Sequence, residues 1–451
     1  MNPKIIPLFI RHRIESRPNL LKIIDNIGWL FFDKILRMGV GLVLGVWIAR
    51  YLGPEQFGLF NFSTAFIGLF GAIAGLGLKD IVVRDIVRDP GSKEETLGTA
   101  AVLQFIGGLI AYGLILGTIF WLRPDDTLVK ALVAILGSMM LFKASEVGVY
   151  WFESQVLSKY AVLAQNGSFL VFAAIKIGLI LNNAPLTAFA WATMAEALMV
   201  ALLLGVLLGL RGPRLHHLRI TLERAKSLLK DSWPLMLSGI AIVIYMKIDQ
   251  IMLGQIVGDE AVGIYSAAVR VSEVWYFVPV MIAASVFPAI LEAKKRSEAQ
   301  YYQRLQRLFD LMVWLSVIIA LPMTFLSAPI VTLIFGEAYA SSGPVLAIHI
   351  WTGVFAFLGV AAGKWFLAEN LQTLSLQRSV LGAGLNVLLN LFLIPYFGVV
   401  GAAVATIISH GFAVFFLDFM QAETRKIFYL KVNSINIISS LGRVKYFKSR
   451  Y

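Results

Sequence analysis

Runs of about twenty apolar residues recur twelve times along the 451-residue chain. They lie at roughly 24–50, 58–78, 97–121, 127–150, 160–181, 186–209, 233–256, 261–290, 308–334, 343–367, 374–395 and 398–420. Twenty residues of α-helix rise about 30 Å, the thickness of a bilayer's hydrocarbon core. A water-soluble chain would need charged surface to cover so many runs, and only 15% of these residues are charged against 58% hydrophobic. The mean hydropathy of +0.78 states the same imbalance. Such a chain must use lipid as its solvent, so the expected fold class is an all-α integral membrane protein with twelve transmembrane helices.

The connections fall into two sets. Very short ones occur at 51–57, 122–126, 182–185, 257–260, 335–342 and 396–397, whereas 79–96, 210–232, 291–307 and both termini are longer and basic. The termini and the set to which they belong hold 29 of the 39 Lys and Arg, and the short set holds Arg50, Arg123 and Lys130. Positive charge marks the cytoplasmic side, so both termini are expected there. This asymmetry also accounts for most of the net charge of +12 without nucleic acid. The expected organisation is a cytoplasmic basic N-terminus over 1–23, an N-lobe over 24–209, a cytoplasmic basic linker over 210–232, a C-lobe over 233–420 and a cytoplasmic basic tail over 421–451.

Other chemistries are excluded or unsupported. The chain has no cysteine for a disulfide, a thiolate metal site or a nucleophile. Its five histidines, His12, His216, His217, His349 and His410, lack metal-ligand spacing, so no metal and no cofactor is expected. Charges break residues 1–23, and the short run 5–10 contains a proline, so they do not read as a signal peptide. No connection is long enough for a folded extramembrane domain. The tail, with Lys431, Arg443, Lys445, Lys448 and Arg450, reads as a membrane-surface segment.

Two stretches repeat at an offset of 205 residues. YLGPEQFGLFNFSTA over 51–65 aligns with IVGDEAVGIYSAAVR over 256–270, placing Gly53, Glu55, Gly58 and Phe60 on Gly258, Glu260, Gly263 and Tyr265. Ala192 and Thr193 echo Ala405 and Thr406 more weakly. Each strong copy joins the first two spans of a six-span half, so two six-helix lobes related by an internal repeat are expected, with a ligand site near the midplane.

The remaining charges lie within spans. The bases are Lys34, Arg37, Lys143, Lys176, Lys247, Arg270 and Lys364, and the acids are Asp33, Glu146, Glu196, Asp249 and Glu273. Each costs about 2.5–3.5 kcal/mol if left in lipid, so they should face one another or a hydrated cavity. Asp33 with Arg37, Lys143 with Glu146 and Arg270 with Glu273 share helix faces and could be structural ion pairs. Lys247 and Asp249, two apart, point to nearly opposite faces. Lys143 and Lys364 lie near span ends and can snorkel. The excess of bases favours an anionic ligand such as a phosphate, with Arg37, Lys247, Arg270, Lys34 and Lys176 as its candidate contacts. Asn386 and Asn390 share a face suited to interhelical hydrogen bonding, and Trp47, Tyr51, Trp121 and Tyr396 read as interfacial anchors.

Four segments carry a family resemblance: IARYLGPEQFGLFNFSTAF (48–66), KIDQIMLGQIVGDEAVGIYSAAVRVSE (247–273), FGEAYASSGPVLAI (335–348) and LNVLLNLFLIPYFGVVGAAVATIIS (385–409). In this order they resemble the polysaccharide-transporter branch of the MOP superfamily, the Wzx-type flippases of O-antigen and related glycans. The resemblance spans about residues 22–420. It implies two lobes that open alternately to either side of a bacterial inner membrane. It further implies passage of an undecaprenyl-pyrophosphate-linked oligosaccharide from the cytoplasmic to the periplasmic leaflet, coupled to protons or sodium rather than ATP. A glycan polymerase and chain-length machinery are then expected partners in lipopolysaccharide or exopolysaccharide biosynthesis. Asp33, Glu196, Asp249 and Glu273 are the ion-coupling candidates. A multidrug exporter of the same superfamily is the alternative, although a positive lumen suits cationic drugs poorly. A membrane glycan polymerase should carry a sizeable outer loop, and the longest expected here is 335–342.

Overall fold

The computed structural model describes residues 18–213 and 217–436, with side chains from Asp25 onward. The basic N-terminal run with His12, His216, and the tail positions Arg443, Lys445, Lys448 and Arg450 fall outside the described residues. Among the described residues there are helices and turns and no strand. Ten helical stretches are long and apolar enough to cross a membrane. In chain order they are α1 (Asp25–Arg88), α2 (Pro90–Leu122), α3 (Thr127–Ser154), α4 (Lys159–Leu181) and α5 (Leu186–Arg211). Then come α6 (Leu222–Ile256), α7 (Asp259–Arg296), α8 (Glu298–Phe335), α9 (Ser342–Ala368) and α10 (Gln372–Met420). A further helix, α11 (Arg425–Ile435), follows them. The chain is therefore a multi-pass membrane protein.

Two stretches are too long for one passage. α1 has 64 residues and α10 has 49, so each is well over the length that a bilayer core takes. Each contains a residue that no α-helix accommodates. Gly53 has φ 71° and ψ 173°, and Gly398 has φ 54° and ψ −131°. Glycine takes these angles without a Cβ penalty, and Pro54 then restarts the helix because its first residues need no N–H partner. The breaks fall in or beside the short connections expected at 51–57 and 396–397. A second break in α1, at Leu76 and Gly77, has positive φ at both residues.

The expected basic connections are mostly helix. Leu78–Arg88 occupies much of 79–96, α6 begins at Leu222 inside 210–232, and only Ser297 separates α7 from α8 within 291–307. Apolar periodicity marks where a helix enters lipid, but backbone hydrogen bonding continues the helix into water, where its charged residues are solvated.

The exposed faces carry what lipid wants. On α10, Leu388, Leu391, Phe392 and Tyr396 are exposed while Asn386 and Asn390 are fully buried. Trp121 and Tyr396, expected as anchors, are 80% and 82% exposed. Polar side chains inside and apolar ones outside is the arrangement that hydrocarbon solvent selects.

The described chain forms two compact units. One comprises the residues up to Tyr51 with Ser63–Ile240, and the other Leu52–Phe62 with Ala241 onward. In the first, an ion network ties Leu78–Arg88 to α2 and α6. Arg84 bonds Asp231 at 2.6 Å, Arg224 bonds Asp85 at 2.9 Å, and Arg224 also donates to Thr96 Oγ1 at 2.9 Å. Leu78, Val82, Ile86, Leu97, Tyr150, Leu208 and Leu228 pack beneath it.

In the second unit, α11 buries Ile427 against Tyr301, Leu305, Phe309 and Trp365. Ser434 accepts from Gln306 at 2.7 Å, and Lys426 donates to Glu298 at 2.7 Å. The start of the tail is thus docked on α8, where a membrane-surface segment was expected.

The same unit contains a reciprocal backbone contact between the two repeated stretches. A Cβ built on Gly58 would lie 1.7 Å from the Asp259 carbonyl oxygen, and one built on Gly263 would lie 1.9 Å from that of Pro54. Gly53 and Gly258, which also align, share positive φ and ψ values of 173° and 176°. Replacing Gly58 or Gly263 by Ala forces two backbones apart, which should destabilise by about 1–3 kcal/mol, the usual cost of overpacking. Either variant should melt below the wild type in detergent. Gly113→Ala, where nothing lies within 4 Å, should not lower the melting temperature.

Candidate functional site

In the first unit, α1 presents Asp33, Lys34 and Arg37. The Arg37 Nε donates to Asp33 Oδ1 at 2.8 Å, as the i, i+4 spacing predicts, and also to Asn166 Oδ1 of α4 at 3.1 Å. Its guanidinium lies 5.5 Å from the Phe169 ring centroid. Asn166 is a partner that the sequence reading missed. Lys34 is exposed on the helix, away from this pair. Lys176 of α4 and Glu196 of α5, assigned separately to anion binding and ion coupling, meet at 2.8 Å. Each neutralises the other across two helices. Lys143 and Glu146 pair at 2.6 Å, and Tyr150 links Glu146 to Gln104.

The second unit holds a different kind of centre. Asp249 of α6 is 4% exposed and accepts three hydrogen bonds. They come from Tyr265 OH of α7 at 2.7 Å, Asn390 Nδ2 of α10 at 2.6 Å and Thr406 Oγ1 of α10 at 2.6 Å. Asn390 also donates to Asn386 Oδ1 at 3.1 Å, and Asn386 donates to Ser409 Oγ at 3.3 Å. Three donors satisfy a buried carboxylate that hydrocarbon would otherwise leave bare. One acceptor stays open, since Asn390 Oδ1 is buried and takes no hydrogen bond among the described residues.

Both histidines of the apolar stretches border this centre. His410 Nδ1 is 2.9 Å from the Thr406 carbonyl oxygen. The His349 ring meets Tyr265 edge-on at 5.9 Å, and its Nδ1 is 2.9 Å from Ser272 Oγ. The shared face of Asn386 and Asn390 was the sequence signal for this cluster. Tyr265 and Thr406 stood in the repeat alignment but gave no sign of chemistry.

Three other charges remain without such partners. Lys247, Arg270 and Glu273 are half-buried on α6 and α7; none is in direct ion-pair or hydrogen-bond contact with another described residue, and both cations act on the Glu273 carboxylate at longer range. Arg270 was expected to pair with Glu273 one turn on, but it extends instead over the Phe57 ring at 5.4 Å. The aromatic face offers a cation–π contact that competes with the local carboxylate. Lys247 and Asp249 separate as their spacing predicts, one half-buried and the other inside the unit. An unpaired guanidinium and ammonium on membrane-spanning helices can grip an anion with several oxygens, the guanidinium through its fork and the ammonium as a point charge.

Comparison with known proteins gives this geometry a lineage. Residues 23–294 match the family described as polysaccharide biosynthesis protein, and residues 234–392 match the MatE family. The chain is 24% identical to the probable low-salt glycan biosynthesis flippase Agl15 of Haloferax volcanii, over 84% of this chain and 79% of the relative. The lipid II flippase MurJ in an inward closed conformation superposes with a TM-score of 0.70 at 14% identity, covering 91% of both chains. A multidrug resistance MATE family transporter of the MOP superfamily superposes with a TM-score of 0.69 at 18% identity, covering 91% of this chain and 99% of the other. With more than half of its length matched by one family model, the chain belongs to the polysaccharide biosynthesis protein family, and it shares its fold with two solved transporters.

Proposed function

We propose that this protein is a flippase, carrying an undecaprenyl-pyrophosphate-linked oligosaccharide from the cytoplasmic to the periplasmic leaflet of a bacterial inner membrane by alternating access. The observation that carries the reading is the pair of half-buried cations, Lys247 and Arg270, on spanning helices of the second unit. They make no direct ion pair with a described residue and share the one Glu273 carboxylate at longer range. A buried charge left without a partner is costly. A pyrophosphate would supply the missing negative charge, drawing the headgroup into a hydrated interior while the polyprenyl tail stays in lipid. Arg37 is a further candidate contact, released from Asp33 when an anion competes for it. Lys176 and Lys34 are weaker ones, the first held by Glu196 and the second exposed on its helix.

The architecture we infer is twelve spans, with α1 and α10 each crossing twice about Gly53 and Gly398. Two six-helix lobes, 24–209 and 233–420, are then related by the repeat, which the matched backbone angles of Gly53 and Gly258 support. The basic linker 210–232 and both termini would be cytoplasmic.

Asp249 is the foremost ion-coupling candidate. Its carboxylate, the Thr406 and Tyr265 hydroxyls and the open Asn390 oxygen form an oxygen-rich cluster suited to a proton or a hard cation such as sodium. An ion drives the cycle only if it binds one conformation better than the other. Asp33, Glu196 and Glu273 remain further candidates. The MatE match favours a second reading, a drug exporter, against which the two free cations argue when the drug is cationic.

In proteoliposomes, the protein should accelerate movement of undecaprenyl-pyrophosphate oligosaccharide between leaflets. Lys247→Ala with Arg270→Ala should slow it by at least about a hundredfold, since each charged hydrogen bond contributes about 1.5–3 kcal/mol. Undiminished movement in the double variant would remove the anion-binding assignment, and export of a cationic dye in its place would install the exporter. Imposed proton and sodium gradients should each be applied in turn. The effective one should lose its influence in Asp249→Asn, with residual exchange down the substrate's own gradient retained. A gradient that acts equally on Asp249→Asn would move coupling to another carboxylate.

A further inference from the structure

The second unit also contains a cavity of about 300 Å³ beside α11, which reaches the Asp249 centre at His410. Among its lining residues are Tyr245, Ser375, Arg378, Ser379, His410 and Lys431. Arg378 and Lys431 are 7% and 0% exposed, and both contact one carboxylate, Asp418, itself fully buried. Two buried basic groups thus share a single acid, and burial beside Arg378 pushes the Lys431 ammonium toward its neutral form, a cost that an added anion would relieve. The other acids on neighbouring segments are engaged elsewhere: Asp310 with Gln306, and Glu369 with Lys294 and Tyr301. Lys431 turns its remaining bond to the neutral Val414 carbonyl at 2.9 Å. The Arg378 guanidinium packs 4.3 Å from the Phe366 ring centroid, and its buried Nε donates to no group among the described residues.

A buried positive charge in excess destabilises a fold unless an anion or a hydrogen-bond acceptor compensates it. Ser375, Arg378 and Ser379 share one face in the opening turns of α10. Arg suits the planar oxygen pairs of a phosphate, and Lys and hydroxyl groups complete a tetrahedral acceptor.

We propose that this cavity binds a phosphate-type oxyanion, gripped by Arg378 and Lys431 with Ser375 in support, which fastens α11 to α10. The same chemistry is offered by free inorganic phosphate and by the headgroup of an anionic phospholipid. This site lies apart from the residues assigned to substrate, so its occupancy does not depend on the flippase reading.

The test is thermal unfolding of the purified full-length protein in detergent. Inorganic phosphate, a short-chain phosphatidic acid, sodium chloride at matched ionic strength and short-chain phosphatidylcholine are titrated in turn. A ligand specific for the folded state raises the melting temperature saturably, here by about 2 °C or more. Arg378→Gln should abolish the rise. Gly359→Leu provides a second variant that leaves every charge in place: Gly359 lines the cavity, and a Cβ there meets only Val414 at 3.7 Å. It should keep the basal melting temperature and lose the rise. A rise with inorganic phosphate assigns a soluble anion, and one with phosphatidic acid alone assigns a lipid headgroup. No rise with either in the wild type, or a rise undiminished in Gly359→Leu, overturns the proposal.

Discussion

Hydrocarbon offers no hydrogen-bond partner, and that absence decides where nearly every polar side chain in this protein sits. In water an unpaired Asn or Asp can turn outward and be solvated. Here the outward direction is closed, so Asn386 and Asn390 lie at zero exposure while the leucines and Phe392 beside them face out. The resulting interior is organised by hydrogen bonds between helices more than by apolar contrast, because a leucine gains little by leaving lipid for protein.

The two units meet this constraint in different ways. In the first, spanning charges cancel in pairs, Asp33 with Arg37 and Lys176 with Glu196. In the second, Asp249 is satisfied by neutral donors alone, while Lys247, Arg270 and Glu273 are left over. An ion pair carries its own counter-charge, whereas a carboxylate held by hydroxyls and an amide leaves its charge open to an incoming ion. That difference, rather than the number of charges, separates scaffold from working parts in the reading given above.

Much of this was legible in the sequence because it is local. Apolar runs located the spanning stretches, the short connection at 51–57 located a break in α1, and i, i+3 or i, i+4 spacing located Asp33–Arg37 and Lys143–Glu146. The same rule failed for Arg270, since a spacing rule cannot register a distant aromatic face such as Phe57. Two of the three partners of Asp249 lie 141 and 157 residues away along the chain. Joining them requires knowing how each helix is rotated about its axis, and spans that are apolar on most sides scarcely encode it. Lys431 was placed in the tail, and only the docking of α11 brings it to Arg378 and Asp418. The helical continuation of the basic connections was hidden for a related reason: hydropathy reports the solvent and not the backbone.

The placement of Leu52–Phe62 has a consequence for how the protein is made. These eleven residues belong to the unit that is otherwise built from Ala241 onward. Their backbone fits against Asp259 and Gly263, which lie about 205 residues later in the chain. At translation rates of about 5–20 residues per second, the segment is inserted some 10–40 seconds before its partner exists. Through that interval its glycine surface is bare, and the early helices must be held in the membrane without it. Completion of the second unit is therefore a late event that reaches back to the start of the chain, and severing the protein between its halves would separate the segment from the unit it completes.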